Sequence, residues 1–359
     1  MKQITDQMRS IQGNSPSLME FFNLRYGEIH LRYDQSTQML GIIAIHSTRL
    51  GPALGGCRFL TYATIDDAMI DCMRLARTMS YKSAIHQLAL GGGKAVLIKP
   101  TETFSRTSLL SSFGEFVHDL GGRFITAEDS GTSVADMDII RTKTPYVTGN
   151  TSQRFLSKDP SPLTALGVRR SMQAAVKFLM HKHTLDGLHI AIQGLGHVGY
   201  QLAKELAAMN VRLTVSDINP ESVKRCQLEF GAKNVAPDEI DTIACDIFAP
   251  CALGNAINAQ NINKIRASIV AGSANNALEN DDLAEQLKAR NILYLPDYVI
   301  NAGGLIHVAY QYFDKTEEDA RAQIEKMYQV TLTILEEAQQ KNLTPLEVAN
   351  QQAEKILGI

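Results

Sequence analysis

A strand that runs straight into Gly194-Leu195-Gly196-His197-Val198-Gly199 constrains this chain more than any other stretch. Leu188-His189-Ile190-Ala191-Ile192-Gln193 reads as the strand, and Leu202, Ala203, Leu206 and Ala207 continue at helical spacing behind the glycines. A further strand, Val211 to Ser216, ends in Asp217, eighteen residues after Gly199. A bare G-x-G-x-x-G is weak; set between a strand and a helix and followed by an acid, it is the dinucleotide-binding arrangement. The glycines make the turn and let a pyrophosphate come close, and the helix N-terminus meets its charge. Asp217 can accept from both adenosine ribose hydroxyls and would repel a 2′-phosphate, which favours NAD over NADP. The other reading is a Rossmann-like unit without a cofactor.

Strands at Cys245–Pro250, Ser268–Gly272 and Ile292–Pro296 extend this pattern as further βα units and point to a mostly parallel, doubly wound sheet. Two of them end in asparagine-rich turns, Gly272-Ser273-Ala274-Asn275-Asn276 and Asn301-Ala302-Gly303-Gly304, suited to a nicotinamide carboxamide or ribose, or simply to turns. The polar, proline-containing run from Thr148 to Pro162 reads as a linker, and a helix follows from about Leu163 to Met180. Two helices close the chain, roughly Thr316 to Gln340 and Thr344 to Leu357, each from a threonine cap. With 359 residues, two domains are expected.

The first half carries two glycine-rich stretches, Gly51-Pro52-Ala53-Leu54-Gly55-Gly56-Cys57-Arg58 and Leu90-Gly91-Gly92-Gly93-Lys94, both read as loops with bare backbone. Met39–Ile45 reads as a buried strand. Thr64 caps a helix with Asp66 and Asp67 in its first turn and Met69, Cys72, Met73, Ala76 and Met79 on its buried face. Lys82 stands near the end of that helix, an ordinary place for a cation, and one short connection before Lys94. Desolvation between the glycines and the apolar run to Pro100 would lower the Lys94 pKa towards the range useful for acid–base work. A helix from about Ser105 to Leu120 leads to the strand Arg123–Ala127, which delivers Glu128-Asp129-Ser130-Gly131-Thr132 at its C-terminal end. Asp129 there either faces a ligand or belongs to a cap of the helix beginning near Val134.

A net charge of −3 and a pI near 6.3 give no sign of a nucleic-acid or membrane partner. The five scattered cysteines favour reduced thiols in a cytoplasm, and Met1–Gln7 lacks an apolar h-region. His181-x-His183, the one close histidine pair, lies in a polar stretch, so no metal site is expected.

Taken together, these motifs resemble the glutamate/leucine/phenylalanine/valine dehydrogenase family, and its leucine dehydrogenase branch above the others. The resemblance runs from Gly51 to the C-terminus. It rests on Gly51–Gly56, Tyr81-Lys82, Leu90–Lys94, Thr126–Thr132, Gly194–Gly199, Ala249–Gly254, Ala271–Asn276 and Pro296–Gly304. It implies an N-terminal α/β catalytic and oligomerisation domain (1–148 and 331–359), a Rossmann-type NAD-binding domain (149–330) and a cleft between them. It also implies a cytoplasmic homo-oligomer, an octamer by the habit of the family, with a dimer or tetramer as alternatives. By motif, Lys94 and Asp129 are the catalytic pair, and Lys82 holds the substrate carboxylate. Thr164, Asn275 and Asn301 contact the nicotinamide end of NAD, and Gly194, Leu195, Gly196, His197, Val198, Gly199 and Asp217 hold the rest.

The implied reaction is reversible oxidative deamination of an L-amino acid to a 2-oxo acid and ammonia. Leu54, Gly55, Ala127, Leu305 and Val308 are the implied substrate contacts. Glutamate members carry a lysine at the Leu54 position and a hydroxyl at the Val308 position, so a distal carboxylate would have no partner here. Leucine, valine and isoleucine are the expected substrates. Leu305 replaces the usual valine and is shared with some phenylalanine-preferring members, and His307–Phe313 departs from the leucine dehydrogenase pattern. A phenylalanine dehydrogenase and a non-catalytic NAD- or amino-acid-binding relative are the alternatives.

Overall fold

The computed structural model describes residues 15–24, 27–151, 159–252 and 254–359, which pack as two compact units. The first comprises Met1–Lys158, Gln311–Asp314 and Ala353–Ile359; the second comprises Asp159–Tyr310 and Lys315–Gln352. The N-terminal heptapeptide, residues 152–158 of the linker and Leu253 of the Ala249–Gly254 motif lie outside the described residues.

The first unit contains α1 (Pro16–Asn23), β1 (Glu28–Asp34), β2 (Met39–Ser47), β3 (Ala53–Leu60), α2 (Ile65–Ile85), β4 (Gly91–Ile98), α3 (Arg106–Asp119), β5 (Phe124–Glu128) and α4 (Val134–Arg141). One sheet runs in the order β1-β2-β4-β3-β5, with β1, β2 and β4 antiparallel and β4, β3 and β5 parallel. Both of its faces are covered. Ile43 and Ile45 pack with Phe113, Phe116 and Val117 of α3, while Ile42 and Ala44 pack with Cys72, Met73 and Ala76 of α2. A strand buried on both faces has no reason to alternate, which is why 42–45 reads as an unbroken apolar run. Thr64 caps α2, its hydroxyl accepting from Asp67 N at 3.0 Å.

The two glycine-rich stretches are not loops. Gly91, Gly92 and Gly93 open the central strand β4, and only Gly51 and Pro52 precede β3. Close approach explains the glycines: a Cβ on Gly92 would lie 2.0 Å from Ser80 N of α2, and one on Gly55 1.8 Å from Gly93 O. The excluding atoms belong to segments distant in sequence, whereas local reasoning scores clustered glycines as turns.

The remaining elements are α5 (Ser161–Met180), β6 (His189–Gln193), α6 (His197–Ala207), β7 (Arg212–Ser216), α7 (Pro220–Phe230), β8 (Lys233–Asn234), β9 (Cys245–Pro250), β10 (Ala267–Val270), α8 (Asp282–Ala289), β11 (Leu293–Tyr294), α9 (Asp297–Ile300), α10 (Gly303–Tyr312), α11 (Glu317–Glu325), α12 (Met327–Lys341) and α13 (Pro345–Leu357). Six parallel strands form the second sheet in the order β11-β10-β9-β6-β7-β8, so the chain winds outwards from β6 and then crosses back to β9. That is the expected doubly wound sheet, with its switch point between β6 and β9.

Three details differ from the sequence reading. Between β9 and β10 the described chain makes a 3-10 turn at Ile262–Lys264 where a full βα unit was expected. The helix expected from Thr316 to Gln340 is two helices broken at Lys326, although Thr316 does cap the first by a capping box with Asp319. Finally, 331–352 packs in the second unit rather than with the first: Met327 lies against Gly167, and Thr331 Oγ1 donates to Ser171 Oγ at 2.9 Å, both on α5. Among the described residues no helix is long and apolar enough to cross a membrane.

Candidate active site

Strand register puts the key side chains of the first unit on one face. Leu54 of β3 is level with Gly92 of β4 and Ile125 of β5, so Leu54, Lys94 and Ala127 project to the same side. Lys94 is also level with Ala44 of β2, which faces α2, so that side is the one under α2. Lys82, in the last turn of α2, is buried there. The short step from Lys82 to Lys94 in sequence is therefore a step from helix to strand across one layer.

Lys94 Nζ donates to Asp129 Oδ2, with the lysine side chain 8% exposed and the carboxylate 22%. Gly55 and Gly56 make room for the pair: a Cβ on Gly55 would lie 3.0 Å from Lys94 Cα, and one on Gly56 2.7 Å from Asp129 Cβ. Asp129 follows β5 and is not a helix cap, since Ser133 and Asp136 cap α4 by themselves. Its turn is tied down: Asp129 N donates to Thr132 Oγ1 at 2.9 Å, and Thr132 Oγ1 donates to Cys57 O at 2.8 Å. Arg58 Nε donates to the same Asp129 Oδ2 at 3.3 Å, and Arg58 Nη1 donates to Asp71 Oδ2 at 2.8 Å. Burial alone would push the Asp129 carboxyl up, but Lys94 and Arg58 outweigh it and hold it down at about 2. Burial drives the Cys57 thiol far up, so it sits neutral beside the pair.

In the second unit Gly194 turns the chain out of β6 at φ +94 and Gly199 lets α6 close on it, a Cβ there lying 2.0 Å from Gly194 O. Gly196, the N-cap of α6, makes no side-chain cap hydrogen bond and has open space where a Cβ would be. Leu195, Gly196 and His197 border a cavity of about 490 Å³ together with Tyr200, Asn219 and Arg225. Val198 lies in the first turn of α6. Asp217 accepts from Leu195 N, and from Asn219 N at 2.7 Å, which fixes its carboxylate beside the glycine turn. Asn301 Nδ2 donates to Asn275 Oδ1 at 2.8 Å and Ser273 O at 3.2 Å. Asn301 is 5% exposed, and its Oδ1 has no hydrogen-bond partner among the described residues. Thr164 packs on Gly303, where a Cβ would lie 2.7 Å from Thr164 Cα. An open helix N-terminus, a fixed acid and an orphaned amide oxygen fit a nicotinamide dinucleotide. Leu305 and Val308 stand three residues apart on α10, so they share one side of that helix.

Gly196→Ala should therefore separate fold from ligand. With no atom within 4 Å of the new methyl, the thermal midpoint should move by only a few degrees, while NADH affinity falls about tenfold or more. Undiminished NADH binding in fluorescence titration would remove the glycine turn from the cofactor site.

Sequence reasoning missed Arg58, Asp71, Tyr62 and Thr132. Arg58 was within reach, because residues 54, 56 and 58 of one strand share a face, but that inference needs β3 to be a strand and not a loop.

A buried lysine–aspartate pair on one sheet and a glycine turn with an open helix N-terminus at the switch point of another are parts that a dehydrogenase can use. The model of the Glu/Leu/Phe/Val dehydrogenase dimerisation domain matches residues 26–146, and that of Glutamate/Leucine/Phenylalanine/Valine dehydrogenase matches 219–357. A leucine dehydrogenase from Thermoactinomyces intermedius is 44% identical over 330 residues, 92% of this chain and 90% of the relative. A valine dehydrogenase from Streptomyces virginiae is 39% identical over 331 residues, 91% of this chain and 92% of the relative. The crystal structure of L-tryptophan dehydrogenase from Nostoc punctiforme aligns with a TM-score of 0.83 at 39% identity, covering 95% of this chain and 98% of that one. The chain belongs to the glutamate/leucine/phenylalanine/valine dehydrogenase family. It is an oxidoreductase of amino acids, and the reaction of the family is oxidative deamination.

Proposed function

We propose that the chain catalyses reversible, NAD-dependent oxidative deamination of branched-chain aliphatic L-amino acids, leucine together with valine and isoleucine, to the 2-oxo acid, ammonia and NADH. The observation that carries this reading is the Lys94–Asp129 pair on the sheet face shared with the aliphatic Leu54 and Ala127. Leu305 and Val308, the further substrate contacts, are aliphatic too, so a second carboxylate would meet no charge among the four. Asp217, held by two backbone N–H groups, would repel a 2′-phosphate, which supports NAD over NADP.

A nicotinamide cofactor held by Asp217, Asn275 and Asn301 would supply the acceptor for the hydride of the substrate Cα. Lys82 holds the α-carboxylate and so fixes the direction of Cα. As the Cα–N bond becomes an iminium, Asp129 accepts the proton lost by the amino group. Lys94, once its own proton has passed to solvent, takes a proton from the water that adds to Cα and stabilises the resulting hydroxyl. Asp129 then returns a proton to the nitrogen, the Cα–N bond breaks, and ammonia leaves as the hydroxyl gives its proton to solvent and becomes the carbonyl. The glycines at 55 and 56 keep side chains off Lys94 and Asp129. As an assembly we propose a cytoplasmic homo-oligomer, an octamer, built through the first unit.

The test is NADH formation with leucine, valine, phenylalanine, tryptophan and glutamate, each repeated with NADP⁺. The aliphatic substrates should lead with NAD⁺. Activity with glutamate alone would refute the pocket argument, a lead for phenylalanine or tryptophan would move the preference to aromatic side chains, and activity with none would favour a binding protein. The pocket residues rather than overall identity carry the preference, because a single methylene discriminates by only about 1–3 kcal/mol.

A further inference from the structure

Behind the Lys94–Asp129 pair runs a second set of bonds that the mechanism above leaves unused. Arg58 lies two residues beyond Gly56 on the same face of β3, with its side chain 22% exposed. It donates through Nε to Asp129 Oδ2 at 3.3 Å and through Nη1 to Asp71 Oδ2 at 2.8 Å. Tyr62 donates its hydroxyl to that same Asp71 oxygen at 2.6 Å. Asp71 belongs to α2, so strand, helix and the β5 turn are joined through one guanidinium. Lys94 and Arg58 thus share one oxygen of Asp129.

Sharing matters because the two cations have different freedom. Lys94 is a single ammonium on a flexible stem, whereas Arg58 is a rigid fork pinned at its other end. In the reading of Lys94 and Asp129 as the catalytic pair, on which this inference rests, Lys94 has to turn from Asp129 to the substrate. We propose that Arg58 is a positioning residue: anchored by Asp71 and Tyr62, it keeps the Asp129 carboxylate in one orientation while Lys94 serves the substrate.

The charged and titratable groups around Asp129 are Lys94 from β4, Arg58 and Cys57 from β3, Asp71 and Tyr62 behind Arg58, and Asp136 from α4. Burial works against the Arg58 charge, but Asp129 and Asp71 more than offset it. Burial and its bond to Asp71 push the Tyr62 hydroxyl up, so it stays a donor. Arg58 is therefore the cation left on Asp129 when Lys94 is engaged. Without it the carboxylate would take up a proton at higher pH.

The test compares Arg58→Gln, Arg58→Lys and Asp71→Asn, with Lys94→Ala and Asp129→Asn alongside. Arg58→Gln should lower kcat about 10–100-fold with little change in the amino-acid KM, and should move the acid limb of the kcat–pH profile upwards. Arg58→Lys should recover part of kcat, and Asp71→Asn should shift the limb in the same direction by less. A folded Arg58→Gln enzyme with an unmoved profile overturns the proposal, and so does a rise in KM at constant kcat, which would make Arg58 a substrate contact. If Arg58→Gln does not fold, an unmoved profile in Asp71→Asn overturns it instead. Turnover retained in Lys94→Ala or Asp129→Asn would sink the mechanism itself, whereas loss there beside normal behaviour in the Arg58 variants removes only this inference.

Discussion

Lys94→Ala should lower kcat about 10³-fold or more while the enzyme still folds and still binds NADH. In the mechanism above the lysine serves the water that adds to Cα, and losing both its proton handling and its charge removes two contributions of this size class. The fold should survive for a specific reason. Removing one partner of a buried ion pair usually costs several kcal/mol because a charge is stranded, but Asp129 keeps its bond to Arg58. The groups proposed to hold the cofactor, Asp217, Asn275 and Asn301, all belong to the second unit and make no bond to Lys94. Steady-state turnover with leucine and NADH fluorescence titration read the two halves separately. Near-normal turnover in the variant would show that Lys94 is not catalytic.

Gly55→Ala should be among the most damaging methyl additions to the first unit. Its Cβ would lie 1.8 Å from Gly93 O and 2.4 Å from Gly93 C, backbone atoms of the neighbouring strand that cannot rotate away. Overpacking of that kind costs on the order of 3 kcal/mol or more, so the variant should melt well below the parent or accumulate unfolded. Gly121→Ala is the control: its backbone is left-handed at φ +60, but no atom lies within 4 Å of the new methyl. Its cost should be about 1 kcal/mol. Comparable melting temperatures for the two variants would mean that β3 and β4 do not approach as closely as described.

How much of this was legible beforehand depends on the range of the interaction that decides each feature. Thr64 as a cap and the helix behind it were readable because the deciding bond, Asp67 N to Thr64 Oγ1, spans three residues. The strand–glycine–helix–Asp217 unit was readable because its parts follow one another within thirty residues. The break at Lys326 was not, since nothing local stops a helix there and the second piece follows α5. Nor was Arg58, whose partners Asp71 and Asp129 lie 13 and 71 residues away.

The sequence by itself determined the parallel sheet built on β6 and the glycine turn at Gly194–Gly199, because hydrophobic period, helix capping and glycine spacing act within one or two elements. The catalytic roles of Lys94 and Asp129 came from the family resemblance and not from any local pattern. Only the tertiary structure decided that the glycines at 55, 56, 92 and 93 are strand residues closely packed on segments distant in sequence, and that Lys94 and Arg58 converge on one oxygen of Asp129. Those outcomes follow from sheet order. β4 lies between β2 and β3, and the order of strands is set by which faces can be buried together, a property of the whole unit that no single stretch of chain contains.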